Sequence, residues 1–347
     1  MRSCFAAFLI VPWSFSQAVE TPAPKQQPAV PDSVSIRSSA DGSKQPAIWF
    51  CPDSAKPEAS GTGVPLLVML HSWSGGLEQG TGWLPHAKKR GWAFLAPDFR
   101  GPNQRPEACA SPLASQDILD AVDHARRNAR IDPDRIYLVG GSGGGHMALV
   151  MATRAPSLWA GVSAWVPISD LAVWHRESLD RRNKYAAMLE TCCGGPPSPE
   201  TAAEYRQRSP LFHLEAAKNL PLDINTGIKD GHTGSVPVSH SIRAFNALAA
   251  ASGLPERQIS EADIGFMVHQ MAIPETLRPE TQSDPERQKP VLFRRTAAQT
   301  RLTVFDGGHD FEIGAALEWL ARQRRNQPAD FQLGTSGTKP EAQEVGK

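Results

Sequence analysis

The 347 residues, 40% hydrophobic and 21% charged, are enough for one large α/β domain or two small ones and exclude a chain disordered throughout. Lys plus Arg and Asp plus Glu each total 36, so the formal net charge is zero. That balance supplies no basic field for nucleic acid or anionic lipid and points instead to a small-molecule or carbohydrate partner.

In chain order, Arg2, the apolar stretch 4–13 and the small-x-small run Ser16-Gln17-Ala18 predict a signal peptide over 1–18, cleaved after Ala18, and hence export to the periplasm or the exterior. The apolar stretch falls well short of the ~20 residues that a membrane-spanning helix needs. Cleavage removes Arg2 alone among the charged residues, so the mature chain stays nearly neutral. It also removes Cys4 and leaves Cys51, Cys109, Cys192 and Cys193, an even set that permits three pairings in an oxidising compartment. A bridge between the neighbours Cys192 and Cys193 requires strained geometry, so at most one bridge involving each loop is expected.

Residues 19–47 read as a Pro-rich N-terminal segment, 48–325 as the main domain, and 326–347 as a polar, unpatterned, disordered tail. Within the main domain, short apolar runs predict buried strands at 65–70, 93–96, 135–139, 161–165, 222–226 and 302–305. Helical patterns fall between them at 115–129, where Ile118, Leu119, Val122 and Ala125 share one side, and at 239–251 and 315–324. This alternation is the signature of an α/β fold with a mostly parallel sheet flanked by helices on both faces. Two inserts, about 170–219 and 253–300, break the rhythm and are expected to act as lids or pocket walls; the second, rich in Pro and charge, reads equally well as a surface excursion.

Directly after the 135–139 strand comes Gly140-Gly141-Ser142-Gly143-Gly144, followed by a helix-compatible stretch. This is the G-x-S-x-G nucleophile elbow in its required strand–turn–helix setting, where flanking glycines remove side chains that would collide with strand and helix. A phosphate cradle would place Lys and then Ser or Thr after the glycines, and His146-Met147-Ala148 stands there instead. The Gly143 N–H at the mouth of the helix is one candidate oxyanion donor. The second comes from the loop after 65–70, His71-Ser72-Trp73-Ser74-Gly75-Gly76, with the Trp73 N–H first and Ser74 second.

A serine nucleophile needs an imidazole to take its proton and a carboxylate to fix the imidazole tautomer. After the last predicted strand, Asp306-Gly307-Gly308-His309-Asp310 places His309 on a glycine-flexed loop as the base. The strand 222–226 leads into Gly227-Ile228-Lys229-Asp230-Gly231, which makes Asp230 the acid and gives the chain order Ser, Asp, His. Asp170, after the 161–165 strand, is the rival acid, whereas Asp223 lies within its strand and reads as structural. His71 is expected to orient the oxyanion loop or line the substrate site, His232 to line the pocket beside Asp230, and Trp174 and Arg176 to contact substrate. Trp73, Trp83 and Trp165 are further stacking faces, and Arg181 and Arg182 further partners for a uronate carboxylate.

The glycine-framed Ser142, the 227–230 stretch with its following helix, and Gly308-His309 together resemble the catalytic domain of the prolyl oligopeptidase family over roughly 65–325. The resemblance implies an α/β-hydrolase fold and carries the serine, aspartate and histidine roles onto Ser142, Asp230 and His309. Those peptidases place a β-propeller before the hydrolase domain, and fewer than 50 residues separate the expected cleavage site from the first core strand here. The chain is therefore also similar to single-domain secreted carbohydrate esterases of the same fold. The expected chemistry is ester hydrolysis through an acyl-enzyme, without cofactor or metal, since no His-Glu-x-x-His spacing appears. A peptidase acting on short peptides is the alternative. A catalytically inactive binding module is a further one, disfavoured by the complete triad.

Overall fold

The computed structural model describes residues 33–280 and 283–333; the expected signal peptide, the part of the Pro-rich segment before residue 33 and the tail from 334 lie outside them. The chain begins with β1 (Ser33–Arg37) and β2 (Lys44–Phe50), then β3 (Val64–Leu70), α1 (Leu84–Lys89), β4 (Ala93–Pro97), α2 (Pro112–Asn128) and β5 (Ile131–Gly141). It continues with α3 (Gly143–Arg154), β6 (Gly161–Trp165), α4 (Leu171–Asp180), α5 (Tyr185–Cys193), α6 (Ala202–Arg208), β7 (Leu222–Gly227) and α7 (Val238–Ala251). The last elements are α8 (Glu261–Gln270), β8 (Val291–Ala297), β9 (Thr300–Phe305) and α9 (Ile313–Arg322).

The strands form one sheet in the order β1-β2-β4-β3-β5-β6-β7-β9-β8. From β4 to β9 all neighbours pair in parallel, and antiparallel strands close both edges. The central strands carry no alternation because helices cover both of their faces: every residue of β3, β6, β7 and β9 is buried. The six strands expected from apolar runs are β3, β4, β5, β6, β7 and β9, and the helical patterns correspond to α2, α7 and α9.

The three edge strands were not expected. β1 alternates, with Val34 and Ile36 turned inward, and pairs with β2 across what reads in sequence as part of a Pro-rich segment. β8 lies inside the 253–300 insert, read from sequence equally as a lid or as a surface excursion, and its Arg294 and Arg295 are buried rather than solvated. The first residues of the expected tail are also bound to the domain: the Ala329 and Asp330 amides donate to the side-chain carbonyls of Gln299 and Gln323.

The 171–217 insert is helical. With the loop after β3 it encloses a second apolar core of Trp73, Cys109, Ile168, Leu171, Trp174, Leu189, Cys192, Cys193, Tyr205 and Val236. Cys51, Cys109, Cys192 and Cys193 are free thiols, the last three buried in or beside this second core. Among the described residues no helix is long and apolar enough to cross a membrane.

Candidate active site

The β5–α3 turn sets the position of Ser142. Its backbone has φ 58° and ψ −120°, a conformation that L side chains adopt rarely, and the turn is held by the Ser142 N–H donating to the Trp165 carbonyl at the end of β6, 2.9 Å away. Beside it Val166, a β-branched residue, also has a positive φ of 43° and donates its N–H to the Asn225 carbonyl at 2.7 Å. Two strained residues at adjoining strand ends are over-determined by the sheet around them, which presents the serine side chain at the rim rather than in the core.

The loop after β3 packs directly on this turn. A Cβ added at Gly143 would lie 2.3 Å from the Trp73 backbone nitrogen, so only glycine lets the two segments approach this closely. The Gly143 N–H opens α3 and has no carbonyl of its own helix to bond. The Trp73 N–H has no acceptor among the described residues, while its carbonyl accepts from Asn103 at 2.9 Å. His71 holds the base of this loop: it is buried, stacked on Phe99 at 4.0 Å, with Nδ1 3.0 Å from the Ser72 carbonyl and Nε2 2.7 Å from the Asp98 carbonyl. Burial pushes the Asp98 carboxyl above its ordinary range, with the His71 ring pulling the other way.

At the other side, the β9–α9 loop carries His309 and the loop after β7 carries Asp230. Asp230 Oδ2 lies 2.7 Å from His309 Nδ1, and Oδ1 accepts the Gly231 and Val236 N–H groups at 2.8 and 3.1 Å. The carboxylate side chain is wholly buried and the imidazole is 24% exposed. One face of the pair is thus locked and the other open. Gly234 makes this contact possible, since a Cβ there would sit 2.3 Å from Asp230 Oδ1 and 2.4 Å from His309 Cβ.

Ser142 and His309 line a common cleft of about 470 Å³, with Ser72, Trp73, Ser74, Gln79, Trp83, Val166, Lys184, Tyr185 and Phe311 on its walls. Trp83 and Phe311 stack at 6.0 Å, and Phe311 is 50% exposed. Lys184 and Tyr185 come from the 171–217 insert, so that insert supplies a cleft wall, whereas none of the cleft residues belongs to 253–300. A larger groove of about 800 Å³, lined by Leu119, Arg154, Phe212 and His213 among others, contains neither Ser142 nor His309.

Several expected substrate contacts are placed elsewhere. Trp174 is fully buried, edge-to-face with Trp73 (4.7 Å) and stacked on Tyr185 (4.9 Å), and its indole N–H donates to the Ser235 carbonyl; a ring with no exposed surface has no face for a ligand. Trp165 is likewise buried, under Phe305 and Arg287. Arg176, Arg181 and Arg182 are exposed and do not line the cleft; Lys184 is the basic residue that does. His232 is exposed with Nε2 2.6 Å from the Val268 carbonyl, away from the cleft walls, and His71 is a loop brace with both ring nitrogens on backbone carbonyls. The rival acid Asp170 caps α4, its Oδ1 accepting the Ala172 and Val173 N–H groups.

The sequence reading missed Gln79, Lys184, Tyr185 and Phe311. A signal existed only for Phe311, an aromatic residue two positions after the loop histidine; the others reach the cleft by tertiary packing that no local pattern encodes.

Residues 84–264 match the model of the prolyl oligopeptidase family. The acylamino-acid-releasing enzyme of Arabidopsis thaliana is 26% identical over 228 residues, 60% of this chain and 28% of that enzyme. The Nocardia uniformis protein NocK, an inferred esterase, is 34% identical over 111 residues, 29% of this chain and 32% of that protein. Among solved structures, the puromycin-hydrolyzing peptidase of Mycobacterium tuberculosis shares the fold with a TM-score of 0.54 at 18% identity, over 83% of this chain and 37% of that one. The chain spans between 28% and 37% of the length of each of these proteins.

Proposed function

The chain belongs to the prolyl oligopeptidase family of serine hydrolases, and from that premise we propose that it is an exported esterase acting on a carbohydrate ester, with Ser142 as nucleophile, His309 as base and Asp230 as acid. The observation that carries the triad is the 2.7 Å contact between His309 Nδ1 and Asp230 Oδ2 beside the strained turn of Ser142, with serine and histidine opening on one cleft.

In this reading the buried Asp230 holds His309 in the tautomer with Nδ1 protonated, leaving Nε2 as the acceptor. Nε2 takes the Ser142 hydroxyl proton as Oγ attacks the acyl carbon. The negative charge that develops on the carbonyl oxygen is met by the Gly143 and Trp73 N–H groups, fixed in advance by the packing of the β3 loop on α3. The imidazolium then protonates the departing alcohol oxygen, and the acyl-enzyme is hydrolysed by a water that gives its proton to the same Nε2. These residues carry every proton transfer, and no cofactor enters the scheme.

The carbohydrate reading is supported by the cleft walls: Ser72, Ser74, Gln79 and Lys184 offer hydroxyl, amide and ammonium groups, and Trp83, Tyr185 and Phe311 offer aromatic surface, the mixture that suits a sugar ring. Export rests on the 1–18 sequence pattern. A peptidase acting on short peptides is the second reading, favoured by the name of the Arabidopsis relative. A panel of p-nitrophenyl acyl esters, acetylated xylan, methyl-esterified pectin and aminoacyl amides, with Ser142→Ala as control, separates them. Turnover of polysaccharide esters without amide cleavage is expected; amide cleavage exceeding ester turnover at equal concentration would replace the esterase with the peptidase.

A further inference from the structure

Away from the cleft, β7, β8 and β9 share a buried concentration of charge that the catalytic reading does not use. Asp223 on β7 and Arg301 on β9 are register partners and bond at 2.7 Å. Arg294 on β8 stands opposite Thr303, bonds its hydroxyl at 3.1 Å and reaches Asp284 at 2.6 Å. Arg287, in the loop before β8, lies 5.0 Å over the Trp165 ring and donates to Asn225; its Nε is 3.4 Å from Asp284 without hydrogen-bond geometry. The side chains of Arg287, Arg294 and Arg301 are 1%, 3% and 3% exposed, and those of Asp223 and Asp284 are 0% and 3%.

Three guanidinium groups therefore face two carboxylates within the cluster; the adjoining Glu286–Arg322 pair adds one charge of each sign, and the buried Glu312 carboxylate beyond it is taken up by the Gln288 and Lys289 N–H groups rather than by these guanidiniums. The donors are also in excess. Arg287 Nε and Nη1, Arg294 Nη1 and Arg301 Nη1 are buried with no acceptor among the described residues, as is the indole N–H of Trp319, whose ring lies 5.7 Å from the Arg301 guanidinium. Burial, together with the positive charges of Arg294 and Arg301, pushes Arg287 down to about 10 even though Asp223 and Asp284 oppose the shift. A guanidinium nitrogen only donates, so more arginine or lysine nearby offers no remedy, and an unpaired buried charge is strongly unfavourable. Water would satisfy the donors and leave the charge; an anion answers both.

We propose that Arg287, Arg294 and Arg301 form a buried binding site for a small monovalent inorganic anion of the halide class. One excess positive charge selects a single negative charge, and donors without a companion acceptor favour a sphere of lone pairs over a group that must also donate. The site backs onto Trp165, whose carbonyl holds the Ser142 turn, so a bound anion braces the strand end from which the nucleophile turn is hung.

The test is diffraction from full-length protein purified and crystallised with bromide as the only halide, together with thermal unfolding in sodium chloride or bromide against sodium gluconate at equal ionic strength. A bromine anomalous peak among the three guanidinium groups is expected. The unfolding midpoint should rise by several degrees in halide and by equal steps per tenfold concentration above saturation. Arg287→Gln, which balances two guanidiniums with two carboxylates, should lose that dependence; if this variant does not fold, the wild-type diffraction decides. Water alone at the site without anomalous density, or the same midpoint in halide and gluconate, would overturn the proposal.

Discussion

Replacing Asp230 by Asn probes the proposed acid with little change of shape. Asp230 Oδ1 already accepts two backbone N–H groups, from Gly231 at 2.8 Å and Val236 at 3.1 Å, so the asparagine must turn its oxygen to that side. Its NH₂ then faces His309 Nδ1 across the 2.7 Å gap and donates where the carboxylate accepted. The imidazole responds by moving its proton to Nε2, the nitrogen that the mechanism needs as an acceptor. The expected loss in kcat is about 10⁴, the size known for the same exchange in a serine protease triad, which corresponds to about 5.5 kcal/mol of transition-state stabilisation. Asp230→Ala differs in kind: it leaves the Gly231 and Val236 N–H groups buried without an acceptor, at roughly 1–3 kcal/mol each, so it should lower the thermal midpoint as well as the rate. Steady-state hydrolysis of a p-nitrophenyl ester, paired with thermal unfolding, reads both quantities. Turnover within tenfold of wild type in the Asn variant, or equal loss of stability in the two variants, would refute the reasoning.

Asp170→Ala should cost about 1 kcal/mol through loss of the α4 cap while leaving kcat close to wild type, because its carboxylate is engaged by Ala172 and Val173; calorimetry with the same ester assay checks this. Gly234→Ala places a methyl group against both Asp230 and His309 and should reduce kcat by about 10² through displacement of the pair, with a folded protein by circular dichroism. His146, buried in α3 one turn after Ser142, has Nε2 on the Arg208 carbonyl, and burial lowers its pKa to about 4. Because the unfolded chain binds the proton more tightly, the stabilisation from keeping His146 neutral is complete above pH 6.5 and is lost as pH falls toward 4. Denaturant unfolding at pH 7 and pH 4.5 should show a decline that His146→Leu reduces; an unchanged decline would exclude His146 as its source.

The central sheet was legible because strands buried on both faces become unbroken apolar runs, and those runs locate β3 to β7 and β9. The positions of Ser142, Asp230 and His309 were legible for a related reason: each follows a readable strand and is flanked by glycine, so their places at one sheet edge follow from topology. β8 was not readable. Its Arg294 and Arg295 resemble a solvated surface, and only Asp284 and Glu280, brought in by the preceding loop, show that the charges are buried in pairs.

The substrate wall was illegible for the opposite reason. Trp174 was expected to stack on a ligand because a lone tryptophan in an insert has no visible partner, but the fold encloses it against Trp73 and Tyr185. Lys184 and Tyr185, ordinary residues at the start of a short helix, reach the cleft only because Trp174 of α4 packs against Trp73 of the loop after β3. Side chains that depend on two distant segments meeting leave no period or motif to read.

Labelling the folded protein with a fluorophosphonate, followed by mass mapping of the modified peptide, tests the central claim most directly. A single adduct on Ser142, absent from Ser142→Ala and strongly slowed in His309→Ala, is the predicted result. An unlabelled folded protein, or an adduct on a different serine that survives Ser142→Ala, would contradict it.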